Sequence, residues 1–170
     1  LLGSVVFPAV STAITRSVDA RAALRAELRG EIDEFTRTGA AALAKWAETG
    51  DRSDPEALAT NLAYTTAGQR LALLLPRSVE DLNRMVAHAV GTANDGDLVS
   101  ALAEFDACTD VLTRWYRGTI SYGQVRSEFE SQTRNITAKI ATRVSESNID
   151  AGVWAGYQPT PPQPPAASSG

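Results

Sequence analysis

The chain has 170 residues and a mass of 18.1 kDa, enough for one domain that buries ~70% of its unfolded surface. Hydrophobic residues make up 44% and charged residues 21%, which excludes bulk disorder. A net charge of −4 and a pI near 5.0 argue against nucleic acid as a partner, since such binders carry a basic footprint. The single cysteine, Cys108, and single histidine, His88, exclude an internal disulfide and a histidine-rich metal site.

Residues 1–15 open with an uncharged run, Leu1 to Ile14. As a helix this run is about 21 Å long, short of the ~20 residues that cross a hydrocarbon core. Arg16, Arg21, Arg25 and Arg29 follow it directly. Lysine and arginine enriched beside an apolar span mark its cytoplasmic flank. Residues 1–15 are therefore read as the end of a truncated membrane anchor, with Arg16 onward at the cytoplasmic face of the inner membrane. The alternative is an apolar segment packed on a cytoplasmic bundle. Arg21, Arg25 and Arg29 lie one turn apart on one helix face, suited to anionic lipid headgroups at ~1 kcal/mol per basic residue or to plain solvation.

The bundle proper is predicted over 16–152. A long first helix covers Val18 to Trp46, with Leu28, Ile32, Phe35, Gly39, Ala42 and Trp46 in a stripe of alternating four- and three-residue steps. Continued backwards, the stripe meets Arg25 and Arg21, so the part before Leu28 is expected to project as a stalk. Gly50 and Asp51 end the helix. Ser53 is the expected cap of the second helix, with Pro55 in its first turn. Leu58, Leu62, Thr65, Gln69, Ala72 and Leu75 are its expected core face, and Pro76 stops it.

A third helix is expected from Ser78, with Leu82, Met85, Val86, Ala89, Val90 and Ala93 inward. Asn94-Asp95-Gly96 should stop it through cheap positive φ. Asp97 can cap a fourth helix whose core face is Leu98, Leu102, Phe105, Cys108 or Thr109, Leu112 and Trp115. Gly118 breaks the run. Ser121 and Gln124 have capping-box spacing and open a fifth helix, with Val125, Phe129, Gln132, Ile136, Ile140 and Val144 on one face. It should end between Ser147 and Asp150. Residues 153–170 are proline-rich, with Val153, Trp154 and Tyr157 at their start, and are expected to form an extended tail. Helices joined by short loops pack antiparallel to their neighbours, so the expected fold is an all-α antiparallel bundle of four to five helices.

Chemistry-bearing patterns are sparse. Met85 stands three residues before His88, where a di-metal bundle needs glutamate. Asp106 and Asp110 lie one turn apart but outside the core stripe, on a solvated face. Cys108 falls near the core face, flanked by those two aspartates, which makes it inert rather than nucleophilic. Glycine-rich phosphate loops are missing, and Asn135-Ile136-Thr137 matches a glycosylation sequon on a helix face. No catalytic, metal-binding or cofactor-binding residue is assigned, and no cofactor is expected.

Trp115, Tyr116, Arg117 and Tyr122 cluster before the last helix, a composition common at interaction hot spots. The expected function is a non-enzymatic helical interaction domain tethered to the cytoplasmic face of a membrane. Its expected partner is another protein or a second copy through its helices, with membrane contact through residues 1–15. The alternatives are a soluble structural or assembly subunit, and a bundle that binds a small polar ligand through Thr65, Gln69 and Gln132.

Overall fold

The computed structural model describes the backbone of residues 3–76 and 78–150, and the side chains of 19–76 and 78–143. The expected tail at 153–170, with Val153, Trp154 and Tyr157, lies outside the described residues. So do the side chains of residues 1–15, of Arg16 and of Val144.

Five α-helices follow one another: α1 (Gly3–Thr49), α2 (Pro55–Leu74), α3 (Glu80–Asp95), α4 (Leu98–Tyr116) and α5 (Val125–Asp150), with one 3-10 turn at Tyr122–Gln124. The described residues contain no strand. The protein is thus an all-α helical bundle. The chain divides into two units, Leu1–Thr137 and Ala138–Gly170. The first holds the bundle and the start of α5. The second carries α5 from Ala138 to Asp150, with the Thr142 hydroxyl donating to the Ala138 carbonyl at 2.9 Å.

In the first unit α1 packs on α2 and α4, and α3 packs on α2 and α4. Each of the four helices therefore has two neighbours, closing a core around Phe35, Leu71, Leu82 and Leu112, all with no exposed surface. The predicted α1 stripe is the buried one from Leu28 to Ala42, with Trp46 partly buried against the core. The helix itself starts far earlier than Val18, running unbroken from Gly3. No helix among the described residues is long and apolar enough to cross a membrane.

Three rings fill the crossing of α1, α2 and α4. Phe35 lies 5.0 Å from Tyr64 and 6.2 Å from Phe105, and Tyr64 meets Phe105 edge-on at 5.8 Å. Two glycines make room for them. A Cβ on Gly39 would come within 2.2 Å of the Phe105 ring and 2.7 Å of the Tyr64 ring, and one on Gly68 within 2.8 Å of Val90.

This crossing corrects the expected face of α2. The inward residues are Ala57, Tyr64, Ala67, Gly68 and Leu71, with Leu75 just beyond them. Leu58 and Leu62 point outward, as does Gln69. Hydrophobicity favoured the leucines; packing favoured small residues that let α2 approach α1 around a single large ring.

The caps also shift. Asp54, not Ser53, caps α2, accepting from the Glu56 and Ala57 amides at 3.0 Å each. The Ser53 hydroxyl instead donates to Asp51. Helix α3 begins at Glu80, not Ser78, because Val79 is buried and turns back to the Pro76 carbonyl. Gly96 stops α3 without positive φ (−80°). Glycine is needed there because a Cβ would lie 2.7 Å from the Thr92 carbonyl oxygen. Asp97 caps α4 as expected, through the Ser100 amide at 2.9 Å. On α4 the fully buried side is Ala101, Cys108, Val111 and Leu112, while Leu98, Leu102, Phe105 and Trp115 flank it. A helix packed from two sides buries more than one stripe.

Gly118 ends α4 with φ +74°. The Thr119 amide bonds the Arg114 carbonyl and the Gly118 amide the Trp115 carbonyl, the paired bonds of a Schellman cap. Gln124 then reaches back to the Ser121 amide at 2.8 Å. Val125 is buried and starts α5 against the core.

Candidate functional site

The two residue groups singled out by sequence meet at one end of the bundle. Leu28 is the first buried residue of α1, and every described residue from Asp19 to Glu27 is exposed. The stalk reading of this stretch agrees with that exposure. Arg21 and Arg25 continue the core stripe of α1 past the bundle, so they stand above its end rather than on its flank. At that point the Tyr116 hydroxyl donates to the Arg25 carbonyl at 3.1 Å. Arg29 lies 3.9 Å from Asp33. No ion pair among the described residues involves Arg21 or Arg25.

The same end gathers exposed apolar groups. Leu24 is 51% exposed on the stalk, and Leu73, at the C-terminus of α2, is 85% exposed. Tyr122 is 38% exposed in the turn after α4. Arg117 is exposed between them in sequence, and Trp115 is half-buried against the core. Of the four residues grouped there by sequence, Trp115 is a packing residue, Tyr116 a strut to α1, and Arg117 and Tyr122 are surface groups. Leu24 and Leu73 were not among the candidates. The run Leu71, Leu73, Leu74 and Leu75 predicts an end of α2 buried on more than one side; Leu71 and Leu75 are buried, but Leu73 corrects that expectation by standing exposed.

The opposite end is closed by polar contacts that sequence did not reveal. The Arg52 guanidinium sits 3.8 Å from the Trp46 ring and donates to the Asn94 carbonyl at 2.7 Å. The Asn61 amide donates to Asn94 Oδ1 at 2.6 Å. These bonds join the α1–α2 loop, through Arg52, and α2, through Asn61, to the C-terminus of α3, across 42 residues of chain in the case of Arg52.

Helix α5 is held to α4 by Arg114, which reaches Glu128 at 2.8 Å, and by Gln132, which donates to Asp110 at 2.6 Å. Asp110 is thus half of an interhelical contact, and Asp106 is exposed as expected. The polar trio Thr65, Gln69 and Gln132 does not converge. Gln69 faces outward on α2, and Gln132 is occupied by Asp110. A separate groove of about 370 Å³ runs between α3 and α5, over Met85 and Phe129, with Asp81, Arg84, Arg126 and Glu130 on its rim. His88 is exposed at its edge, 3.3 Å from Glu104. No cluster of three or more potential metal ligands occurs among the described residues.

Cys108 is buried, and burial pushes its thiol far above the ordinary value. The neighbouring charge that adds to this is Glu104, not Asp106 or Asp110. Burial likewise raises the Tyr64 hydroxyl, with Cys108 and Glu104 adding to it.

No protein-family model matches the chain, and neither does any curated protein or solved structure with which it was compared.

Proposed function

We propose that the protein is a non-enzymatic interaction domain held at an anionic membrane surface by its first helix. The observation that carries this reading is the continuation of α1 beyond the bundle, where it sets Arg21 and Arg25 above an end that also exposes Leu24, Leu73 and Tyr122. Guanidinium groups that make no ion pair among the described residues, next to exposed leucine and tyrosine, suit phosphate headgroups and the interfacial layer beneath them. Arginine stems can lie along apolar surface while their charged heads remain solvated. The apolar run from Leu1 to Ile14 supplies the second attachment that stable membrane anchoring requires.

Vesicle flotation tests this function. The full chain is expected to float with phosphatidylserine-containing vesicles more strongly than with pure phosphatidylcholine. Arg21→Gln, Arg25→Gln and Arg29→Gln together should weaken that preference on the order of a hundredfold, from ~1 kcal/mol per basic residue. Equal binding to both vesicle types, or no effect of the triple substitution, would refute the lipid-facing role of the arginines.

A further inference from the structure

The closed end of the bundle holds two polar atoms that its own bonds leave over. Arg52 Nε and Asn61 Oδ1 are both buried from solvent and have no hydrogen-bond partner among the described residues. Both residues line one small pocket of about 20 Å³, walled by Leu43, Trp46, Ala57 and Ala93. They come from different elements, the α1–α2 loop and α2, and each is drawn there by a bond to Asn94 on α3.

The bonds to Asn94 also fix which end of each side chain is left over. The Asn94 amide donates to the Val90 carbonyl at 3.0 Å, so its Oδ1 is the acceptor that faces Asn61. Only the Nδ2 end of Asn61 can meet that oxygen, at 2.6 Å. An inverted Asn61 would set two acceptors against each other. The Arg52 guanidinium is fixed twice, by the Nη1 bond to the Asn94 carbonyl at 2.7 Å and by its place 3.8 Å from the Trp46 ring. Its Nε–H is always a donor, since arginine does not deprotonate in proteins. The pocket thus offers one donor and one acceptor among apolar walls.

An occupant must accept from Arg52 Nε–H and donate to Asn61 Oδ1. A halide accepts but cannot donate, and a metal cation is repelled by the guanidinium. Water does both. One water needs about 10–15 Å³ and at least two polar partners, and the pocket meets both conditions with room for a single molecule. We infer that this pocket is a binding site for one internal water, which accepts from Arg52 Nε and donates to Asn61 Oδ1. The water joins the α1–α2 loop to α2 and completes, with Asn94, a polar ring that closes this end of the bundle. The site is independent of any membrane contact.

Nuclear magnetic resonance of the full chain tests the inference. The Arg52 Hε resonance should show a dipolar cross-peak to water with the sign of a residence time beyond the nanosecond range. Chemical exchange is told apart by its opposite sign in the rotating frame. Hε of Arg134, which is exposed, should show no such dipolar peak. Asn61→Leu keeps a similar volume without a polar atom and should abolish the Arg52 peak. A crystal structure of the unsubstituted chain at atomic resolution should show a density maximum about 2.7–3.2 Å from both Arg52 Nε and Asn61 Oδ1. Exchange alone at Arg52, a peak unchanged in Asn61→Leu, a direct Arg52–Asn61 bond, or an anomalous signal in the pocket after a bromide soak would each overturn the inference.

Discussion

The hydroxyl of Tyr116 and the carbonyl of Arg25 are joined at 3.1 Å across 91 residues of chain. This bond ties the last turn of α4 to the point where α1 leaves the bundle. Tyr116→Phe keeps the ring and removes the bond. We expect a loss of about 0.5–1.5 kcal/mol, the usual net worth of one hydrogen bond. Amide exchange should quicken over Asp19–Glu27 and remain unchanged around Leu43, which hydrogen-exchange mass spectrometry can resolve.

Two glycines of α1 should respond oppositely to alanine. Gly39 faces the Phe105 and Tyr64 rings at distances no Cβ can occupy. Gly39→Ala should therefore cost about 1–3 kcal/mol through overpacking. Gly30 has nothing within 4 Å of a built Cβ, so Gly30→Ala should stabilise by roughly 0.5–1 kcal/mol through helix propensity. Urea unfolding of both variants, followed by circular dichroism, checks the pair.

Tyr64 has no exposed surface, and its hydroxyl has no hydrogen-bond partner among the described residues. A buried orphan hydroxyl costs about 1–3 kcal/mol. Tyr64→Phe should consequently be at least as stable as the parent, whereas Tyr64→Ala should lose about 3–5 kcal/mol by opening a cavity among the three rings. Thermal melts that rank Phe below Tyr would show that the hydroxyl has a partner in solution.

The α4 cap should give the stability a defined acid limb. The Ser100 amide and hydroxyl both donate to Asp97 and hold its carboxyl below the ordinary value of 3.8. A carboxylate whose folded value is depressed contributes fully above the unfolded value and loses that contribution as pH falls through the folded one. Melting temperature should therefore drop less steeply below pH 3.8 in Asp97→Asn, which keeps an acceptor oxygen but cannot titrate. Parallel acid limbs in parent and variant would contradict this assignment.

Much of the fold was legible because local chemistry and core burial agreed. The α1 stripe from Leu28 to Trp46, the α3 stripe from Leu82 to Ala93, the Asp97 cap and the Gly118 break all stand where periodicity and capping rules put them. Agreement failed on α2, where both helix faces are apolar and hydrophobicity alone cannot choose between them. It failed again at Ser53, whose neighbour Asp54 offers the stronger acceptor to the same amides.

By itself the sequence determined that the chain is helical, where its helices break and that its first helix outruns the core, because these depend on contacts within a few residues. Only the tertiary structure decided which side of α2 turns inward. That choice depends on Gly39, Gly68 and three rings drawn from α1, α2 and α4. It likewise placed Tyr116 against Arg25 and Arg52 against Asn94, since contacts between residues 91 and 42 positions apart exist only once the helices have packed.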